Sequence, residues 1–461
     1  RVGRRWRNFA FFGTKCMSFD HKSLLLLGKM LNKLESGFTD LPDYQPTPDI
    51  DALRPVLMSV AERMQDNYPY QHPLYAGQML KPPHPVARLA YALAQFINPN
   101  NHAMDGGRAS SLMEREAVAD LAAMFGWKEH LGHLCGGGTM ANMEALWIAA
   151  RVHPGKKIVA SDQAHYTHTR ISQVLQVPFA TVATDKNGRM DVSALKKLLP
   201  NGDIGTVVAT MGTTGIGTTD PLEEIIELAD MHNVRVHVDA AYGGYFILAN
   251  NLASETRTSF NSIHKADSVV VDPHKHGLQP YGCGCVLFKN PEVGAYYKHD
   301  SPYTYFSSDD LHLGEISLEC SRAGASAVAL WATQQLMPLT DGSNFAKAIS
   351  LCRNAACDLH SRLDADDRFL TVVAPELDIV LWAPTDGNAS VISTLSRKMF
   401  NNAAARNLHL ALVELPESLL ASHWPSVEFD IPSVLCLRSC LMKPEHAEWM
   451  DEIWEILDAI G

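Results

Sequence analysis

Lys275 stands in the stretch ADSVVVDPHKHGLQPYGCGCVLFKN, residues 266–290, just past a short apolar, β-branched run at 268–271. Such a run is the pattern of a buried strand, and Pro273 cannot continue it inside a sheet. His274 and His276 flank the lysine, and the turn formers Gly277, Pro280, Gly282 and Gly284 follow. A lysine at the mouth of a buried strand is a candidate for a desolvated amine, because burial disfavours the ammonium form. The neutral amine attacks carbonyls and forms a Schiff base. A solvated loop lysine would be written the same way, so other parts of the chain have to choose.

Asp239 closes the run RVHVD at 235–239. A carboxylate at the end of a buried strand needs a cationic or donor partner to offset its desolvation. That partner is a backbone cap, an arginine, or a protonated heteroaromatic nitrogen. His165, in SDQAHYTH from Ser161, is either a hydrogen-bonded loop histidine or a ring that stacks on a flat ligand. His165 and His168 also have the look of a metal pair, but zinc would need further ligands on a rigid element. None is evident, and no metal is expected. Gly136-Gly137-Gly138-Thr139 precedes a helix expected from Met140. Bare amides at a helix N-terminus hold phosphate, aided by the helix dipole and a hydroxyl. The string lacks the Lys-Ser/Thr tail of a P-loop and the spacing of a dinucleotide fingerprint. A phosphate cradle, a carboxylate for a ring nitrogen, a stacking histidine and a Schiff-base lysine together specify pyridoxal 5'-phosphate.

These residues need elements to bring them together. From about 126 to 288 the chain alternates strands and helices, with strands expected at 157–160, 206–209, 235–238, 268–271 and 285–288. Helices are expected at 140–151, 192–199 and 222–231. That alternation implies a mainly parallel sheet covered on both faces, and ligands then bind outside the carboxyl ends of its strands. SDQAHYTH, MGTTG from Met211, DAAYGG from Asp239 and DPHKHG from Asp272 all fall at such ends.

Before this core, residues 1–80 read as a Pro-rich, irregular arm after a short helix at 23–34. A second helix is expected at 86–96, and Ser111 to Glu114 has a capping-box pattern for a third. Beyond 336 the pattern changes to a smaller α+β domain. Its strands are expected at 370–373, 379–382, 408–413 and 434–441, and a closing amphipathic helix at 445–460. The domain division is therefore 1–80, 81–336 and 337–461.

Composition narrows the function classes. With 461 residues the chain suits two or three domains, and 46% hydrophobic with 20% charged residues is a globular balance. A formal charge of −12 argues against nucleic-acid binding. No apolar run reaches membrane-spanning length, and residues 1–12 lack the apolar core of a signal peptide. The chain opens on Arg1, which is read as a processed or truncated start. Nine cysteines without a CxxC pair are read as reduced thiols of a cytoplasmic protein.

Five strings, GGGTMANMEAL from Gly136, SDQAHYTH from Ser161, ATMGTTGIGTTDPL from Ala209, HVDAAYGG from His237 and DPHK from Asp272, occur in one order over about 131–331. In that order they resemble the group II pyridoxal-phosphate-dependent amino-acid decarboxylases, which include glutamate, aromatic amino-acid and archaeal tyrosine/aspartate decarboxylases. The resemblance implies a PLP-dependent transferase-like α/β fold (fold type I, aspartate aminotransferase-like) and decarboxylation of an L-amino acid to its amine. It makes Lys275 the Schiff-base lysine, Asp239 the partner of the pyridine nitrogen, His165 the stacking ring and Ala241 the contact on the other ring face. Gly138 and Thr139 become phosphate ligands, with Asn142, Thr214 and His274 around the cofactor. SPYTYF from Ser301 resembles a mobile loop whose tyrosine returns a proton, Tyr303 being the better match and Tyr305 the alternate. LECSRAG from Leu318 resembles a segment that reaches the neighbouring subunit's cofactor, which implies a homodimer. Arg438, in an apolar run, takes the place of an arginine for the substrate carboxylate; a structural salt bridge is the other reading. Asp272 and GLQPYGCG depart from the eukaryotic decarboxylases toward the archaeal branch and sphingosine-phosphate lyases. This keeps open a carbon–carbon lyase, an oxidative aldehyde synthase and a catalytically silent paralogue, although Tyr303 argues against the synthase and intact Lys275, Asp239 and His165 against the paralogue. The amino acid itself is not named by the sequence.

Overall fold

A computed structural model describes residues 22–42, 44, 48–298 and 317–461. The chain divides into two units, Arg1–Pro48 and Asp49–Gly461. The first holds helix α1 (Lys22–Glu35). Tyr303 and Tyr305 lie outside the described residues.

The second unit opens with α2 (Ile50–Met64), so the stretch before 80 is not irregular after one helix. The Asp49 side chain accepts from the Ala52 amide at 3.0 Å and caps α2. None of the α2 residues is buried. Two helices follow, α3 (Pro85–Gln95) and α4 (Arg108–Met124). The α4 helix begins three residues before Ser111, behind Gly107, so the capping-box reading fails. Glu114 is instead buried at 2% exposure. Its carboxylate accepts from the Leu134 amide at 3.0 Å, from Asn101 at 2.7 Å and from Arg322. Burial alone would raise its pKa, but the guanidinium and the donors hold it below the usual carboxylate range.

Seven strands form the large sheet: β1 (Leu131–Cys135), β2 (Lys157–Ser161), β3 (Phe179–Val182), β4 (Ile204–Thr210), β5 (Arg235–Asp239), β6 (Ser268–Val271) and β7 (Gly284–Phe288). Their order is β1-β7-β6-β5-β4-β2-β3. Strand β7 is antiparallel to both of its neighbours, and every other pair is parallel. Because β1 is antiparallel to β7, it runs in the same sense as the parallel strands. Helices α5 (Gly138–Val152), α6 (Thr167–Leu175), α7 (Val192–Leu198), α8 (Leu222–Met231) and α9 (Ser254–Asn261) connect them. Burial explains the sequence pattern: β4, β6 and β7 are buried at every position. The fold is thus the α/β, PLP-transferase-like type I arrangement expected, with two strands that the sequence reading did not place, β1 and β3.

The C-terminal part carries a four-stranded antiparallel sheet, ordered β10-β11-β9-β8. Its strands are β8 (Phe369–Thr371), β9 (Ile379–Pro384), β10 (Ala411–Pro416) and β11 (Ser433–Cys440). The helices Asn344–Asp364 and Ala389–Ala405 pack here. The expected closing helix is split: a 3-10 turn at Pro444–Ala447 precedes the helix Met450–Asp458. The eight described cysteines are free. No described helix is long and apolar enough to cross a membrane.

Candidate active site

The carboxyl ends of β1, β2, β4, β5 and β6 share one edge of the large sheet, and a cleft of about 350 Å³ opens there. Gly138, Thr139, Asn142, His165, Thr214, Asp239, Ala241, His274 and Lys275 all line it.

Strand β1 delivers the glycine turn to this edge. Gly137 precedes α5 with φ +143°, a conformation L side chains rarely adopt, and α5 has no side-chain N-cap. Gly284, the first residue of β7, comes so near that a Cβ on it would lie 2.5 Å from Gly137 C. The uncapped helix start leaves amide donors and a positive dipole end for an anion. Asn142 supports the turn: its Nδ2 donates to Gly138 O at 2.8 Å, and its Oδ1 accepts from His237 Nε2 at 2.8 Å. His237 stays neutral, pushed down to about 3 by burial.

At the other end of the cleft Asp239 is buried, and two donors hold it. Its Oδ1 accepts from the Ala241 amide at 3.1 Å and its Oδ2 from His168 Nε2 at 2.8 Å. Burial pushes its pKa up, but the hydrogen bond and charge of His168, with Lys275 and the Ala241 amide, pull it well below the usual range. His168 is 1% exposed. In the sequence it stands only as half of a metal pair with His165. Its i, i+3 spacing from His165 was the only available signal, and the partner 71 residues away was not visible.

Lys275 is 23% exposed and is not walled by apolar groups alone: its Nζ lies 3.1 Å from Asp272 Oδ2. This carboxylate partner, three residues back along the chain, is one that the sequence reading did not weigh for the amine. His274 Nδ1 donates to Cys283 O at 2.8 Å, and burial lowers its pKa. His165 Nδ1 lies 2.8 Å from Thr167 Oγ1, and burial likewise favours its neutral form. Arg438 does not line the cleft, but its Nη1 donates to Thr214 O at 2.7 Å. It has no ion pair among the described residues, and its buried Nε has no partner there. Glu319, in the LECSRAG segment, accepts from the Gly136 amide at 2.9 Å within the same chain.

These residues fit pyridoxal phosphate. An uncapped helix start suits its phosphate, an amine suits its aldehyde, and a carboxylate held ionised suits its protonated ring nitrogen. Two buried oxygens at the cleft, Thr210 Oγ1 and Asp272 Oδ1, also stand unpartnered among the described residues.

Comparison with known proteins agrees. The model of the pyridoxal-dependent decarboxylase conserved domain matches residues 70–383. A probable L-tyrosine/L-aspartate decarboxylase of Methanothermobacter thermautotrophicus is 28% identical over 309 residues, covering 66% of this chain and 82% of that protein. The L-tyrosine decarboxylase of Enterococcus faecium is 27% identical over 478 residues, covering 79% of this chain and 77% of that protein. Among solved structures, Oryza sativa TDC with PLP and tryptamine superposes with a TM-score of 0.76 at 16% identity, over 97% of this chain and 99% of that one. At that identity the likeness is one of fold.

Proposed function

The chain belongs to the pyridoxal-dependent decarboxylase family and is a PLP-dependent amino-acid decarboxylase; from that premise we propose that Lys275 holds the cofactor as a Schiff base and that the cleft at the sheet edge is where an L-amino acid loses its carboxyl group. The observation that carries this reading is the placing of Lys275 in one cleft with an uncapped helix start and an ionised, buried Asp239.

When bound, pyridoxal phosphate supplies a carbonyl for the amine and a conjugated ring that takes up the electron pair released with carbon dioxide. Gly138 and Thr139 hold the phosphate at the α5 N-terminus, and Asn142 keeps that turn in shape. Asp239, fixed by His168, holds a proton on the ring nitrogen. His165 and Ala241 flank the ring, and Thr214 and His274 complete its surroundings. Arg438 is the cation for the substrate carboxylate: a guanidinium with no carboxylate partner of its own is available to one. Tyr303, or Tyr305, returns a proton to the α-carbon. L-tyrosine and L-aspartate lead the substrate list because the relatives are so named. The working form is a homodimer, and the uncovered α2 is part of the surface it buries.

The test incubates the purified protein and pyridoxal phosphate with the common L-amino acids, following carbon dioxide and amine. One acid, tyrosine or aspartate first, is expected to give both in equal amounts, and Lys275→Ala to give neither. Cofactor bound through Lys275 with no carbon dioxide from any acid would sink the reading. Aldehyde in place of amine would move the oxidative synthase forward.

A further inference from the structure

A second cavity, of about 410 Å³, shares the Lys275 loop with the cleft: His276 lines it, whereas His274 and Lys275 line the cleft. Its walls come from the stretch leading into α3, the Lys275 loop, the helix Asn344–Asp364 and the turn after β11. Lys81 and Lys443 line it and are 8% and 5% exposed. Lys81 Nζ donates to Met442 O at 3.0 Å, and Lys443 Nζ to Tyr75 O at 2.6 Å. Each ammonium carries three protons, yet neither has a carboxylate within ion-pair distance among the described residues. A buried charge without a counter-charge is costly.

The buried carboxylate beside them, Asp378, is held chiefly by His276 and Tyr242, and its charge reaches Lys81 only from beyond ion-pair distance. Tyr242 donates to its Oδ1 at 2.6 Å, and His276 Nε2 lies 3.2 Å from its Oδ2. Arg88 and Glu445 line the cavity from exposed positions, and the Glu445 charge acts on Lys443 from beyond ion-pair distance. Leu278, Phe345 and Ile349 supply an apolar wall. The cavity therefore sets an excess of buried positive charge beside a hydrocarbon surface. Burial, and then the charge of Lys81, push the Lys443 ammonium down to about 7, a strain that a bound anion would relieve.

We propose that this cavity binds a small organic carboxylate with an apolar body, its carboxylate held by Lys81 and Lys443 and its body against Phe345 and Ile349. The site is separate from the active-site cleft and does not depend on the reaction proposed above. Its geometry also explains why two lysines stand in a protein interior with main-chain oxygens and, for Lys443, the face of the Tyr75 ring as partners, but no carboxylate.

Benzoate is the probe, with benzamide as its uncharged isostere, each titrated calorimetrically into the cofactor-loaded protein. Benzoate is expected to bind saturably, and benzamide about tenfold more weakly or worse, the scale of a charged hydrogen bond lost. Lys81→Met and Lys443→Met should each weaken benzoate by about the same factor. Ala348→Phe fills the cavity from the helix side without touching a charge, so it keeps the test decisive if a lysine variant fails to fold. It should abolish binding, whereas Arg438→Met, beside the cleft, should leave it intact. No saturable binding to the native protein would overturn the proposal. So would equal affinity for benzamide, or binding lost in Arg438→Met and kept in Lys443→Met.

Discussion

Asp239 must stay charged inside the protein if it is to hold a proton on a ring nitrogen, and its own burial works against that. The structure answers with two donors, of which His168 is the stronger. A hydrogen bond to a charged group contributes about 1.5–3 kcal/mol, so His168→Phe is expected to lower kcat/KM by about tenfold or more. It should also raise the pH below which activity falls away, because the carboxylate then protonates more readily. His168→Gln, which keeps an N–H donor, should restore much of both. A pH–rate profile for the three proteins decides it: a His168→Phe enzyme with native rate and native acid limb would remove His168 from the site's chemistry.

Elements put these residues in reach of one another. The α5 N-terminus becomes a cradle because β1 ends beneath it and β7 begins against it, at the contact of Gly284 with Gly137. Helix α2 has the opposite character. Ile50, Leu53, Leu57, Val60 and Met64 recur at three- and four-residue spacing, and all are exposed. That stripe is the pattern of a helix that packs on another, and in the homodimer proposed above a second copy would cover it. Leu57→Asp with Val60→Asp should convert the dimer to a monomer while leaving the large sheet intact. Sedimentation velocity at micromolar protein reads this directly, and a native chain that already sediments as a monomer would rule out the dimer.

At the scale of the whole molecule, the buried histidines set the acid limit of stability. His237 and His446 are both pushed down to about 3 by burial, against an unfolded value near 6.5. Between those values the unfolded chain binds protons that the folded chain refuses. Stability is thus fully present above about pH 6.5 and is lost as the pH falls, by about 1.4 kcal/mol per pH unit for each group. Asp220, raised to about 7 by burial, works in the opposite sense over the same range and offsets one of the two. Other buried or half-buried histidines, among them His165, His274 and His276, are also lowered and tip the balance. The urea midpoint should therefore fall from pH 7 to pH 5, and His237→Gln should flatten that fall by about 1.4 kcal/mol per pH unit. A midpoint independent of pH, or an unchanged slope in the variant, would contradict this.

Sequence alone determined the chemistry-bearing types and the period of the elements that carry them. Strands β2, β4, β5 and β6 are largely apolar runs ending in polar strings, the pattern that a buried parallel sheet requires. That is why the cleft could be placed at their carboxyl ends. Strand β1 was not legible, since Leu131-Gly132-His133-Leu134-Cys135 has no β-branched residue and is held by pairing with β7. Glu114 read as a cap because its spacing from Ser111 fits one, while its real partners lie far along the chain at Leu134 and Arg322. Only the tertiary structure decided such matters: which donor keeps Asp239 charged, that Asp272 pairs with Lys275, and that Lys81 and Lys443 meet in one cavity. Local sequence encodes periodicity and turn chemistry, but the counter-charge of a buried group is supplied by whichever distant residue the fold brings beside it.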